Sequence, residues 1–127
     1  MKIYALLALS LSSFIWAKES ILIDLNIQVG SLRAKPKILT LLNNPAQISQ
    51  RDEHGQGFDL DITPKNSEKP NEKTFDIIIK DAHDLSGKNS TKNTIIVKEH
   101  YPATLTTIDN ATGKKQIIEL KYATIVQ

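Results

Sequence analysis

The chain reads as all-β, a single-domain antiparallel β-sandwich of about seven to eight strands, with a small β-barrel as the alternative. Three observations predict this. Apolar residues recur at every second position through most of the chain. Turn-forming Gly, Asn and Pro punctuate these runs at short intervals. After residue 17 no run carries the apolar period of a helix.

The N-terminus has a different character. Lys2 precedes an apolar run from Ile3 to Trp16, broken only by Ser10, Ser12 and Ser13, and Ala17 precedes the charges of Lys18 and Glu19. That is the layout of a signal peptide, with cleavage expected after Ala17. A bilayer-spanning helix needs about 20 consecutive apolar residues, and this run is shorter and serine-rich. No later segment is apolar enough to span a membrane. The expectation is a leader at 1–17 and one β domain at 18–127, exported to the periplasm or secreted. A domain of that length builds one core. The chain has 0 cysteines, so burial alone must stabilise the core. Lys and Arg number 16 against 14 Asp and Glu, with the lysines scattered, which leaves no basic stripe to hold nucleic acid.

The strands follow in order. Ile21, Ile23, Leu25, Ile27 and Val29 fall on one side, with Asp24, Asn26 and Gln28 on the other. A helix would throw Ile23 and Ile27 away from Ile21 and Leu25, so a strand with one buried face is predicted. Gly30-Ser31 is turn material. Shorter strands are expected at Lys37 to Leu42 and Ala46 to Gln50, divided by Asn43-Asn44-Pro45. After His54-Gly55-Gln56-Gly57, Phe58, Leu60 and Ile62 alternate with Asp59, Asp61 and Thr63, and Pro64 is expected to stop the strand. Phe75, Ile77 and Ile79 mark the next strand. Thr94 to Lys98 and Ala103 to Ile108 mark two more, and Ile118, Leu120, Tyr122, Thr124 and Val126 share one face of a long last strand. Polar connectors run from Pro64 to Lys73, Ala82 to Asn93 and Asp109 to Lys115.

If successive strands are antiparallel neighbours, connectors alternate between the two ends of the fold. Gly30, Asp52 to Gly57, Ala82 to Asn93 and Asp109 to Lys115 then share one end. Asn43 to Pro45, Pro64 to Lys73 and Tyr101-Pro102 share the other. The first end, with longer glycine-bearing loops, is the expected interaction face. Its candidate residues are His54, Gly55, Gly57, Asp84, Gly87, Asn110 and Gly113.

Candidate chemistry is sparse. His54 and His83 fall in loops expected to share an end with Asp81 and Asp84, a mixture able to hold a divalent metal. Polar loops contain such residues by composition, however, and Asp81 to Ser90 lacks calcium-loop spacing, so no metal and no cofactor is assigned. Asp59 and Asp61 stand about 7 Å apart on one strand face and could form an acid–base pair. Alternation already demands polar residues at both positions. No Gly-x-Ser-x-Gly elbow is present, and there is no Cys nucleophile. No catalytic residue is assigned.

Lys35-Pro-Lys-Ile-Leu-Thr-Leu-Leu-Asn-Asn-Pro-Ala-Gln-Ile-Ser-Gln50, then Gly57-Phe-Asp-Leu-Asp-Ile-Thr-Pro64, resembles a short segment of the secretin homology region over 35–64. Pro36, Ile38, Thr40, Asn43, Ala46 and Ile48 match its first phrase, and Leu60, Ile62 and Pro64 its second. Secretins gate outer membranes, but this chain is too short for a secretin core and lacks its long membrane hairpins. The resemblance implies a β-module in a bacterial envelope setting, without the gating activity. The functional expectation is a non-enzymatic exported module that binds a protein partner. The alternatives are a secreted protein that binds a surface or host ligand, and a small hydrolase using Asp59, Asp61 or the loop histidines.

Overall fold

The computed structural model describes residues 19–55, 57–81, 90–108 and 113–126, with Asp81 described by its backbone alone. Among the described residues there are nine strands and no helix: β1 (Glu19–Val29), β2 (Leu32–Ala34), β3 (Lys37–Leu41), β4 (Ala46–Arg51), β5 (Gly57–Asn66), β6 (Glu72–Asp81), β7 (Thr91–Lys98), β8 (Ala103–Ile108) and β9 (Lys115–Val126). They form two antiparallel sheets that do not close into a barrel. One runs β2-β1-β9-β8, with β3 also beside β1, and the other runs β4-β5-β6-β7. This is a β-sandwich.

β1 alternates because its odd positions face the second sheet. Ile21, Ile23, Leu25, Ile27 and Val29 are all buried. Opposite them lie Phe58, Leu60 and Ile62 from β5 and Phe75, Ile77 and Ile79 from β6. Val97 of β7 and Ile118, Leu120 and Tyr122 of β9 complete one continuous core. Each buried aliphatic or aromatic side chain contributes about 1.5–3 kcal/mol of hydrophobic stabilisation, the only large favourable term open to a cysteine-free domain. Phe75 and Tyr122 meet across the sheets with ring centroids 5.3 Å apart at 54°, the tilted geometry aromatic pairs prefer.

The strand count is one or two above the expectation of seven to eight. The strand that sequence patterning missed is β2, a three-residue return arm pairing Val29 with Leu32 and Ile27 with Ala34. Gly30, at φ 61, takes the first central position of this two-residue turn, a conformation glycine adopts without a Cβ clash. Pro36 then separates β2 from β3, while its carbonyl accepts the Leu25 N–H at 3.0 Å, so β1 stays paired along that edge.

Pro64 does not stop its strand. β5 continues to Asn66, and Pro64 pairs with Phe75. The Pro64 carbonyl accepts the Asn43 N–H at 2.7 Å, so its backbone points toward the β4 side, beyond the last β4 pair of Ala46 with Ile62. A proline nitrogen there costs no ladder hydrogen bond. The connectors are correspondingly shorter than expected, because β6 starts at Glu72 and β7 at Thr91.

Candidate functional site

Every sheet pairing is antiparallel, so the connectors alternate between ends, except the β2–β3 link at 35–36, which runs along the edge of β1 because both strands pair with it. Both sheet-to-sheet crossovers, β3 to β4 and β7 to β8, lie at one end together with the β5–β6 turn. Hydrogen bonds bind this end into one unit. The Glu99 N–H and the Tyr122 hydroxyl both donate to the Asn71 carbonyl, at 2.9 and 3.2 Å. The His100 N–H donates to the Tyr122 carbonyl at 3.0 Å. The Glu99 carboxylate accepts the Thr124 N–H at 2.7 Å. Burial, with Glu99 and Glu72 adding to it, pushes the Tyr122 phenol up to about 12, so it remains a donor. Sequence reading treated Tyr122 as one more inward side chain. The available signal was a hydroxyl on an otherwise apolar strand face, which requires a partner when buried.

From the opposite end leave the β1–β2 turn and the connectors 52–56, 82–90 and 109–114. His54 and Gly55 are exposed here. The Asp52 carboxylate accepts the His54 N–H at 2.9 Å, and the Asp52 carbonyl accepts the Gly55 N–H at 3.1 Å. Gly55, at φ 77, completes that turn. The His54 imidazole stands 3.6 Å from the Glu53 carboxylate. Gly113 has φ 71 at the approach to β9, and the Gly30 N–H donates to the Lys115 carbonyl at 3.1 Å, linking the β1–β2 turn to the base of β9. Gly57 is buried inside the ladder rather than displayed in a loop. Asp84, Gly87 and Asn110 lie outside the described residues, as does His83, and Asp81 is placed only as the ladder partner of Phe58. Among the described residues no group of three or more His, Asp or Glu could hold a metal ion.

The paired aspartates face outward from β5 over a depression of about 190 Å³ lined by Gln47, Ser49 and Lys80. One Asp59 oxygen accepts the Ser49 hydroxyl at 2.7 Å and the Arg51 guanidinium at 2.9 Å. The Ser49 hydrogen bond, aided by Arg51, holds this carboxyl below its ordinary value of 3.8. A general acid needs the opposite shift, so Asp59 is ionised at neutral pH and acts as a clasp between β4 and β5. Asp76 does the same between its neighbours, with Lys65 at 2.6 Å and the Thr94 hydroxyl at 2.8 Å.

A second cleft, about 400 Å³, lies on the outer face of the other sheet among Asp24, Asn26, His100, Pro102, Glu119 and Lys121. Asp24 Oδ1 is buried there with no hydrogen-bond partner, and Lys37 Nζ stands 3.9 Å away.

The matching residues of 35–64 run from Pro36, just before β3, through β3 and the β3–β4 crossover into β4 and β5. Ala46, Leu60 and Ile62 are buried in the second sheet, and Ile38 and Ile48 pack at the margin of the core. Asn43 turns at φ 67, and the Thr40 hydroxyl donates to the Asn44 carbonyl at 3.2 Å. These are packing and turning roles. No family model, curated protein or solved structure matches the chain.

Proposed function

We propose that this chain is an exported, non-enzymatic β-sandwich module of the bacterial cell envelope that binds another protein at the end from which the connectors 52–56, 82–90 and 109–114 leave. The observation that carries this reading is the asymmetry of the two ends. Both crossovers and the adjacent residues Glu19 and Val126 are gathered at one end. The two longest connectors, 82–90 and 109–114, both leave from the other. A rigid scaffold that presents several loops side by side is a common way to build a recognition surface. The leader-like run from Lys2 to Ala17 supports export, and the resemblance over 35–64 supports the envelope setting.

Site-specific photocrosslinking in the producing cell tests the loop end. A photoreactive residue at His54 is expected to give one defined protein adduct, and the same residue at Asn44, in the crossover end, none. Adducts at neither position, or the same adduct at both, refute the assignment. Export is checked separately by fractionation and N-terminal sequencing. A mature chain beginning at Lys18 outside the cytoplasm is expected, and Met1 retained on a cytoplasmic chain overturns the compartment.

A further inference from the structure

The two sheets have four open edges, and these are not equivalent. The β2–β3 edge carries Arg33, Lys35, Pro36 and Lys37. The β4 edge follows Pro45, and the Arg51 guanidinium folds over the Gln50 and Phe58 carbonyls at 2.9 and 3.0 Å. β7 carries exposed Lys92 and Lys98. Lysine, arginine and proline are the usual devices against unwanted edge pairing. β8 follows Pro102 as β4 follows Pro45, but it carries no lysine, arginine or proline of its own: its residues are Ala103, Thr104, Leu105, Thr106, Thr107 and Ile108.

Hydrogen-bond parity identifies which β8 groups are open. The His100 N–H reaches the Tyr122 carbonyl, so the even-numbered residues of β9 aim their backbone groups at β8. Ala103–Leu120, Leu105–Ile118 and Thr107–Gln116 are therefore the bonded pairs. The N–H and C=O groups of Thr104, Thr106 and Ile108 point away from the sheet. Among the described residues none hydrogen-bonds to them. Their side chains lie on the outer face, with Ile108 64% exposed.

We infer that β8 is a dimerisation edge at which two copies of this chain join antiparallel about a two-fold axis through Thr106, fusing their β2-β1-β9-β8 sheets into one. Register and chemistry both select a second copy. A two-fold at Thr106 faces Thr106 with its twin and Thr104 with the partner's Ile108. Each facing pair exchanges two backbone bonds, about six in all. On the outer face the facing pairs, Thr106 with its twin and Thr104 with the partner's Ile108, are neutral and β-branched, the kind that stabilises cross-strand contacts, and the exposed Ile108 gains a neighbour. No charge on this edge selects an acidic or basic foreign strand. The interface is isologous and closed, and it runs along the flank of the sandwich up to Ile108, where the 109–114 connector of the proposed partner site begins.

The absence of cysteine makes the test direct. Facing residues of a bonded antiparallel pair lie about 5.5 Å apart at Cα, within disulfide reach. In the full-length mature protein, Thr106→Cys under mild oxidation is expected to give a covalent dimer. Thr94→Cys, on the lysine-flanked β7 edge, is the control and is expected to remain monomeric. Sedimentation velocity is expected to show a concentration-dependent dimer that Thr106→Lys converts to monomer with an unchanged circular dichroism spectrum. A protein monomeric up to its solubility limit, a dimer that survives Thr106→Lys, or equal crosslinking at positions 94 and 106 overturns the inference. The first outcome would leave β8 to a strand from another protein or to none.

Discussion

Gly57 and Gly55 are both glycines of the β4–β5 hairpin, and the structure gives them opposite reasons to be glycine. Gly55 has φ 77 and open space around any added methyl. Its replacement by alanine costs only the left-handed backbone penalty, roughly 1 kcal/mol. Gly57 has no such backbone constraint, but a Cβ there would land on the Gln50 carbonyl oxygen, 2.7 Å from its carbon and 3.0 Å from Arg51 Cα. These are backbone atoms and cannot rotate away, so β4 must move. Overpacking typically costs about 1–3 kcal/mol, and a strained or broken ladder bond adds about 1 kcal/mol, giving about 3 kcal/mol for Gly57→Ala. β4 is an edge strand and can peel at its end, which keeps the cost from rising much further. At about 4 °C per kcal/mol for a domain of this size, the midpoint falls by about 12 °C for Gly57→Ala and about 4 °C for Gly55→Ala. The assay is thermal and urea unfolding followed by circular dichroism, because the chain's 1 tryptophan, Trp16, lies in the expected leader. If Gly57→Ala proves no more harmful than Gly55→Ala, the close approach of β4 and β5 is wrong.

Three further outcomes follow from the geometry. Ile77→Ala, at a fully buried position on the central strand β6, is expected to cost about 4 kcal/mol; Ile96→Ala, 63% exposed on β7, should fall within about 0.5 kcal/mol of the parent in the same urea titration. Tyr122 has a phenol raised from 10.0 to about 12, so the folded state holds its proton more tightly than the unfolded chain does. The stability that follows is complete below pH 10 and declines as pH rises toward 12. Tyr122→Phe is expected to lose about 1 kcal/mol at neutral pH and to flatten that alkaline decline. Asp76 is shifted the other way, lowered first by its hydrogen bond from Lys65 and then by that from Thr94. Its contribution is present above pH 3.8 and is lost as pH falls through the lower folded value, so Asp76→Asn should make unfolding less sensitive to acid, read from midpoints across an acid series.

The alternation that located β1, β5, β6 and β9 is a local consequence of having one face in the core, which is why it could be read without knowing any strand's neighbours. Where a strand extends past the core the signal fades. Glu72-Lys73 reads as the end of a polar connector, yet both residues pair with β7, and Lys73 is buried beside Val97. β2 was too short to show a period. Pro64 misled because proline was weighed as a missing donor, while its position beyond the β4 ladder leaves nothing to donate to. Gly57 was read as a loop glycine because close backbone approach leaves no mark in sequence. Asp59 and Asp61 were recognised as the wet half of a strand, but the Ser49 and Arg51 partners that fix the charge of Asp59 come from a separate strand. Of the expected interaction residues, the turn conformation of Gly55 and Gly113 agrees with the turn reading, Gly57 lies inside the ladder, and Asp84, Gly87 and Asn110 lie outside the described residues.

Strand order was the part no local pattern could supply, and it has the widest physical consequence. β1 and β9 pair along their length from Glu19–Val126 to Val29–Gln116 and form the centre of their sheet. The β4-β5-β6-β7 sheet, by contrast, is a meander of successive hairpins. Local pairings close small loops and form early, whereas distant ones wait on a larger loss of chain entropy. The meander can therefore form while β1 still lacks its partner, exposing Ile21, Ile23 and Leu25 until β9 arrives. The same order makes β9 indispensable to both faces of the problem: it covers β1 on one edge and supports β8 on the other. A destabilising change at Leu120, which pairs with Leu25 and Ala103 at once, should therefore loosen the β8 edge and the β1 core together, while leaving the meander's own hairpins paired.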